Sequence, residues 1–159
     1  MSLPDDPESR RPLYLFLIAT LAVGALASLF ITPANLGWYG SLNHPSFAPP
    51  RRAIAPVSTA LYIVMAFAAW RVWRKSGLKS TEMAFFALQL ALNFLWCVLF
   101  FGLHQIGAAR VELALLDVAI FVTLVLFFRR DRIAGFLFLP CLAWALFTSF
   151  LAHTFWRLN

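Results

Sequence analysis

Residues 83–103 read MAFFALQLALNFLWCVLFFGL, and only Gln89 and Asn93 in this run carry strongly polar side chains. A helix of about 20 apolar residues crosses the hydrocarbon core of a bilayer, which is roughly 30 Å thick. This run is therefore long enough to span a membrane as one helix. A transmembrane β-barrel would show segments of about 10 residues with alternating polarity instead, and the run does not alternate.

Four further runs share this length and character, at 13–31, 53–70, 111–128 and 133–156. The whole chain is 62% hydrophobic and only 13% charged, and ordinary soluble domains carry about 25% charged residues. We therefore predict an all-α integral membrane protein with a bundle of five transmembrane helices. Residues 1–12 are expected to form a polar N-terminal tail, and 13–159 a single transmembrane domain.

The N-terminal run has an alternative interpretation as a cleaved secretory signal. Arg10-Arg11, an apolar stretch and Ala25-Leu26-Ala27 have the order of such a signal with its cleavage site. The apolar stretch nevertheless continues through Ile31, which makes it long enough to span a bilayer. This length favours a first helix that is retained.

The distribution of Lys and Arg predicts the orientation. With five spans, the N-terminus and the second and fourth loops share one side, which carries nine basic residues, whereas the other side carries four. The positive-inside rule then places the N-terminus in the cytoplasm and the first loop outside, in a membrane we expect to be bacterial. Basic residues in short clusters between apolar runs do not form the continuous patch of a nucleic-acid-binding domain, so no nucleic-acid partner is expected.

The first loop, residues 32–52, is unusually long and contains both prolines and aromatic residues. Prolines at this density are expected to block a continuous helix. Amphipathic aromatic side chains suit the membrane interface. The loop is therefore predicted to be an ordered lid on one membrane face, with a plain connector as the alternative. Its prolines and aromatics are Pro33, Trp38, Tyr39, Pro45, Phe47, Pro49 and Pro50.

Polar and aromatic side chains recur at helical spacing in three spans, which places each set on one face. Polar residues inside a membrane usually face the interior of the bundle. The three faces together could enclose an apolar pocket with a few hydrogen-bonding groups, which suits a flat hydrophobic ligand with polar edges. Alternatively, Gln89 and Asn93 only join neighbouring helices. The sets are Ser58, Tyr62 and Met65; Gln89, Asn93, Trp96 and Phe100; and Pro140, Trp144, Thr148 and Leu151.

The remaining reactive side chains predict no catalytic or metal site. Cys97 and Cys141 lie inside apolar runs without metal-ligand spacing, and both are expected to be buried small hydrophobes. Glu112 is expected at the membrane interface near Arg110. Asp117 lies deeper without a basic partner in its own span; it could pair with a loop arginine, be protonated or carry protons. No required cofactor is predicted.

Three motifs, in the lid and in the third and fifth spans, carry a further signal. They are WYGSLNHPSFAPP at 38–50, followed by Leu61-Tyr62; QLALN at 89–93, followed by Trp96 and FFG at 100–102; and LPCLAW at 139–144. In this order they resemble the translocator protein / tryptophan-rich sensory protein family, also called the peripheral-type benzodiazepine receptor family. The resemblance covers roughly residues 13–159.

The resemblance implies a five-helix membrane bundle, often a homodimer, that binds porphyrins and, in some members, cholesterol or synthetic aromatic ligands. It therefore predicts a binder or transporter-like sensor of flat hydrophobic small molecules, with porphyrin or haem as the ligand and membrane lipid around it. Arg51 or Arg52 at the pocket mouth could pair with a propionate carboxylate. The predicted ligand-binding residues are Trp38, Pro45, Phe47, Pro49, Pro50, Ser58, Tyr62, Asn93, Trp96, Trp144 and Thr148.

The sequence departs from the family pattern at several of these positions. Ser58 stands where the family usually has a tryptophan that is linked, opposite the residue matching Trp144, to the breakdown of porphyrin in light. Phe47, Cys141 and Ala152 replace the usual tryptophan, tyrosine and asparagine of the lid and the fifth span. These changes predict a divergent pocket. A light-dependent porphyrin-degrading enzyme and a structural membrane protein without a small ligand are the alternatives.

Overall fold

The computed structural model describes residues 7–159, so the first six residues of the predicted N-terminal tail lie outside the described residues. Over the described part the chain folds into six α-helices and no strand. Five of them are long and apolar enough to cross a membrane, which confirms the predicted all-α membrane bundle. The helices are α1 (Pro7–Ser28), α2 (Pro33–Ser41), α3 (Arg51–Ser76), α4 (Thr81–Cys97), α5 (Ile106–Arg130) and α6 (Arg132–Leu158).

The helices extend beyond the predicted apolar spans into flanking charged sequence. Helix α3 continues to Ser76 and α5 to Arg130, because each additional residue adds a backbone hydrogen bond to an existing helix at little cost. Helix α3 stops at Gly77, whose φ of 76° lies in the left-handed region that glycine adopts without a steric penalty. The Gly77 N–H donates to the carbonyl oxygen of Trp73 and closes the last turn.

Side-chain caps start the helices that follow the two short turns. The Ser80 hydroxyl accepts a hydrogen bond from the N–H of Met83 at 3.3 Å at the start of α4. The Asp131 carboxylate accepts from the N–H of Ala134 at 3.0 Å at the start of α6, and Asp131 is the single residue between α5 and α6. Such short connections require neighbouring helices to be antiparallel.

The lid contains one short helix, and no continuous helix crosses the loop, as its prolines predict. Helix α2 begins with Pro33, a position where the missing N–H costs nothing because it has no partner within the helix. The Thr32 hydroxyl caps this end by accepting from the N–H of Asn35 at 3.2 Å. Pro45, Pro49 and Pro50 all follow the last residue of α2. The lid is therefore ordered, but its first half is helical.

A π-helical turn, Val98–Gly102, continues α4. The wider turn carries Phe100 into the core, where its side chain is 3% exposed, and its ring stacks on Trp96 with centroids 5.4 Å apart. The chain then reverses at His104, which adopts a φ of 55°. A positive φ at a residue other than glycine costs energy and persists only where neighbouring contacts fix it.

The five long helices pack in a ring. Helix α3 contacts α1 and α6, helix α5 contacts α6 and α4, and α4 returns to α1. The buried core follows the axis of this ring, and α2 packs on one end of it against the π-helical turn. A ring of five helices leaves room for a cavity between them. Here the cavity lies inside the ring near the end that α2 covers.

The end of the bundle opposite α2 is stabilised by ion pairs around Asp131, which is 4% exposed. Its Oδ2 lies 3.0 Å from Nη2 of Arg71 and 2.8 Å from Nζ of Lys75, so the α5–α6 turn is tied to α3. Nearby, Nε of Arg130 lies 2.6 Å from Oε1 of Glu82 and ties α5 to α4. Burial alone would raise the pKa of Asp131, but hydrogen bonds from Lys75, the capped backbone and Arg71 hold that pKa well below its usual range.

We expect Asp131→Asn to lower the free energy of unfolding by about 1–3 kcal/mol, because two cations lose their shared carboxylate. Asparagine still caps a helix, so the substitution removes the charge and keeps the cap. Since the folded-state pKa of Asp131 lies below the unfolded value of about 3.9, its stabilisation is complete above that pH and is lost on further acidification.

Thermal unfolding in detergent micelles between pH 3 and pH 7 measures both effects. Arg129→Gln removes an exposed charge at the same end of the bundle and is the matched control. Equal unfolding midpoints for Asp131→Asn and Arg129→Gln would contradict the ion-pair assignment.

Candidate functional site

A cavity of about 550 Å³ lies inside the ring of helices, at the end covered by α2. All six helices and the π-helical turn contribute side chains to its wall. The wall is mainly apolar, with a small number of hydrogen-bonding groups, which is the usual character of a small-molecule site. The residues that the cavity brings together decide what it can bind.

Seven of the eleven predicted ligand-binding residues line this cavity. They come from four separate stretches of the chain, so the spacing of polar and aromatic residues within each span identified inward-facing positions correctly. Whether these side chains contact a ligand stays a prediction. The seven residues are Pro49, Ser58, Tyr62, Asn93, Trp96, Trp144 and Thr148.

Trp38 does not line the cavity and instead holds the first half of the lid in place. Its ring stacks on the His104 ring at a centroid distance of 4.1 Å and meets Phe100 edge-on at 5.5 Å. Asn35 strengthens this attachment, because its amide oxygen lies 3.1 Å from Nε2 of His104. This cluster also accounts for the positive φ of His104, which the stacking and the hydrogen bond keep in place.

Pro45, Phe47 and Pro50 also lie outside the cavity wall. The carbonyl oxygen of Pro45 accepts from the N–H of Ala48 at 3.0 Å, which closes a turn of the lid. Phe47 stacks on Phe150 of α6 at a centroid distance of 5.2 Å, and Pro50 immediately precedes the first turn of α3. These three residues shape the second half of the lid.

One hydrogen bond crosses the cavity wall between α3 and α4. The hydroxyl of Tyr62 donates to Oδ1 of Asn93 at 2.5 Å. The side-chain nitrogen of Asn93 makes no hydrogen bond to a described residue, and it therefore keeps two N–H donors for another partner. Asn93 thus joins α4 to α3 and keeps its two side-chain N–H donors free at the cavity.

Further unpaired donors surround this pair. Nε1 of Trp96 is buried and makes no hydrogen bond within the described part of the chain. The hydroxyl of Ser58 likewise has no hydrogen-bond partner there. Burying a donor without an acceptor is unfavourable, so the Trp96 indole is positioned for an acceptor that the described residues do not provide, and the Ser58 hydroxyl lies on the same cavity wall.

Aromatic side chains form much of the remaining wall. The Trp96 ring stacks on Phe100, and the Trp144 ring lies 5.6 Å from Phe147. Tyr39 of the lid is 6% exposed and closes the covered end. Aromatic walls of this kind offer flat faces on which a planar ligand can stack.

Arg51 is the cation at the mouth of the cavity. Its guanidinium carbon lies 5.2 Å from the centroid of the Tyr39 ring, within the range of a cation–π contact. Burial raises the pKa of Tyr39, and the Arg51 charge opposes part of that rise. Arg51 lines the cavity, whereas Arg52 does not.

Gln89 and Pro140, which share faces with cavity residues, do not reach the cavity. Gln89 is fully buried, and its Nε2 lies 3.8 Å from Sδ of Met65. This contact joins α4 to α3 and agrees with the alternative in which Gln89 serves packing.

Glu112 does not pair with Arg110, and its position at the membrane interface stays a prediction. Glu112 is 5% exposed, and neither of its carboxylate oxygens has a hydrogen-bond partner among the described residues. Its position on α5 turns it into the bundle, whereas Arg110 packs over the Trp156 ring at 4.0 Å and contacts Nδ1 of His153 at 3.2 Å. Residues only two apart on a helix point in different directions.

Asp117 has a partner from another span. Its Oδ2 accepts from the Ser149 hydroxyl of α6 at 2.6 Å, so the acid is held by a serine and not by a loop arginine. Both cysteines are buried and free, as expected. The described residues contain no group of three or more His, Cys, Asp or Glu side chains that could hold a metal.

Sequence reasoning missed the parts of the wall that carry no polar marker. Leu113, Leu116 and Ile120 of α5 line the cavity, and so does Gly24 of α1. Apolar residues occur on every face of a membrane helix, so the three side chains from α5 give no signal of their own. Gly24 differs from these three residues, because a Cβ there would lie 2.9 Å from Cε2 of Tyr62. Only glycine allows α1 to approach the Tyr62 ring this closely.

Comparison with known proteins gives one consistent result. The model of the TspO/MBR family matches residues 16–157. Protein CrtK of Rhodobacter capsulatus is 36% identical over 151 residues, covering 91% of each chain. The tryptophan-rich sensory protein of Cereibacter sphaeroides is 35% identical over 147 residues, covering 92% of this chain and 91% of the relative. The human translocator protein is 37% identical over 139 residues, covering 84% and 82% respectively.

A double-mutant cycle tests the Tyr62–Asn93 hydrogen bond. We expect Tyr62→Phe and Asn93→Ala each to destabilise the protein, and the double variant to lose about 1 kcal/mol less than their sum, because both remove the same bond. Unfolding in detergent measures the four free energies. Tyr14→Phe, at a position 57% exposed, is the control and should change little. Additive losses would show that the two groups do not interact.

Proposed function

This chain belongs to the TspO/MBR family of membrane proteins, and from that premise we propose that it binds a flat, hydrophobic ligand of the porphyrin class inside its helix bundle. The observation that carries the proposal is the cavity itself: aromatic faces combine there with unpaired hydrogen-bond donors and one cation at the mouth. A volume of about 550 Å³ is within the usual range for a small-molecule site, about 300–1,000 Å³.

The shape of the wall favours a planar ring. Trp96 and Trp144 lie on different helices, α4 and α6, and both border the cavity. Offset stacking on such rings contributes about 0.5–1.5 kcal/mol beyond the burial of apolar area. A planar aromatic macrocycle makes more of these contacts than a branched aliphatic molecule of equal volume.

The polar atoms favour a ligand that accepts hydrogen bonds. The Asn93 amide, the Trp96 indole and the Ser58 hydroxyl each have an N–H or O–H without a partner among the described residues. Arg51 adds a positive charge at the mouth, where a carboxylate could form a charge-assisted pair. A porphyrin supplies both a flat ring and carboxylates on flexible arms, so it satisfies these groups together.

The relatives are named as a translocator protein and a tryptophan-rich sensory protein. We propose for this chain a role of the kind that these two names describe, in which a bound molecule is either transported or sensed. Seven basic residues gather at the end of the bundle opposite the lid, and we propose that this end faces the cytoplasm. They are Arg71, Arg74, Lys75, Lys79, Arg129, Arg130 and Arg132.

Quenching of tryptophan fluorescence tests the proposed function. Purified protein is titrated separately with protoporphyrin, haem and a sterol. We expect saturable quenching by protoporphyrin with a micromolar Kd, and a Kd at least about tenfold higher for Trp144→Ala, since a tenfold loss corresponds to about 1.4 kcal/mol of stacking and burial. Trp156→Ala, outside the cavity wall, is the matched control. Absence of saturable quenching by all three compounds would overturn the proposal.

Arg51 and Arg52 form a matched pair for testing the carboxylate contact. We expect Arg51→Gln to raise the Kd for protoporphyrin about tenfold, because a charge-assisted hydrogen bond is lost, whereas Arg52→Gln should change it less than about twofold. The same titration with protoporphyrin dimethyl ester, which lacks the carboxylates, should show no difference between the variants. Equal losses for both variants would contradict the assignment of Arg51.

A further inference from the structure

The cavity borders the seam between α1 and α3, and residues of both helices that line it there are exposed: Ala25 and Ser28 on α1, and Ala55 and Thr59 on α3. We propose that this seam is a lateral portal through which the ligand enters from the bilayer. The inference rests on the proposed function, because it concerns how the same ligand reaches the same cavity.

The boundary of the portal is a close contact between the two helices. A Cβ on Gly24 would lie 2.9 Å from Cε2 of Tyr62, so α1 and α3 touch at this level. The helices are consecutive antiparallel spans, so the residues after Gly24 face those before Tyr62. On the lid side of the contact the cavity-lining residues include small ones, namely Ser28 on α1 and Ala55 and Ser58 on α3. Small side chains leave the seam open where the cavity lies behind it.

The portal lies between two helices that are long and apolar enough to cross a membrane. Its residues belong to Arg11–Ser28 on α1 and to Arg51–Ser76 on α3. The rim hydroxyls are satisfied within their own helices: Ser28 donates to the carbonyl oxygen of Ala25 at 2.6 Å, and Thr59 to that of Ala55 at 2.9 Å. The outer rim therefore presents satisfied hydroxyls, which lipid tolerates, whereas the unpaired hydroxyl of the half-buried Ser58 lies on the cavity wall.

The helical half of the lid is held by polar contacts on both sides of Tyr39. The side-chain nitrogen of Asn35 donates to the carbonyl oxygen of Phe30 at 2.6 Å. After α2, the N–H of Asn43 donates to Oδ1 of Asn159 at 2.8 Å. Tyr39, between them, is buried. Access from water would break several of these contacts, whereas access through the portal breaks none of them.

This route defines the chemical class of the ligand. A molecule that uses the portal must first dissolve in the bilayer, so its body is apolar and thin enough to pass between two helices. Arg51, at the first residue of α3, lies toward the membrane surface, where a carboxylate on such a molecule also resides. A flat macrocycle with its acidic groups on one edge fits both requirements.

The rates of binding test the portal. The protein is placed in lipid nanodiscs, and stopped-flow quenching of tryptophan fluorescence by protoporphyrin gives association and dissociation rates. We expect the double variant Ala25→Leu, Ala55→Leu to lower both rates about tenfold, because a narrower passage slows entry and exit alike. The control, Ala22→Leu with Ala60→Leu, alters exposed alanines of the same helices outside the cavity wall and should keep both rates within about twofold.

Two further variants keep the test decisive if the double variant does not fold. Thr59→Ala widens the portal and should raise both rates, whereas Asn159→Ala releases the lid and should leave them unchanged. Rates that respond to Asn159→Ala and ignore the portal variants, with the Kd intact, would overturn the portal alone. Loss of all protoporphyrin binding by the wild type at equilibrium would overturn the proposed function, and the portal with it.

Discussion

The absence of water from the bilayer core is the constraint on which this structure depends. Every backbone N–H and C=O at that depth must be satisfied within the protein, so the spans are helices and their polar side chains turn inward. Tyr62, Asn93 and Asp117 follow this rule, because each bonds across the bundle to a neighbouring helix or accepts a bond from one. The same constraint explains why the unpaired donors of the cavity favour a ligand that accepts hydrogen bonds, since lipid offers them no acceptor.

Much of the fold follows from the sequence because each apolar run has the length of one span. The inward faces of α3, α4 and α6 were also predictable, because Tyr62, Asn93 and Trp144 are polar or amphipathic groups at helical spacing. The details that escaped prediction depend on contacts distant in sequence. Trp38 anchors the lid on His104, and Glu112 is buried in the bundle; neither placement follows from the local pattern.

The end of the bundle opposite the lid contributes stability, and the lid end contains the cavity. Asp131, Arg71 and Lys75 fasten the end opposite the lid with buried and half-buried charges. At the wall of the cavity, Gly24 of α1 closely approaches Tyr62 of α3. A bundle fixed at one end, with its cavity at the other, can hold a ligand without losing its packing.

The position of a bound porphyrin tests the central claim most directly, and a structure of the complex in lipid nanodiscs measures it. The account predicts density for a planar ring inside the bundle, bordered by Asn93, Trp96 and Trp144, with a carboxylate directed at Arg51. Density on the outer surface of the helices, with the interior cavity empty, would contradict it.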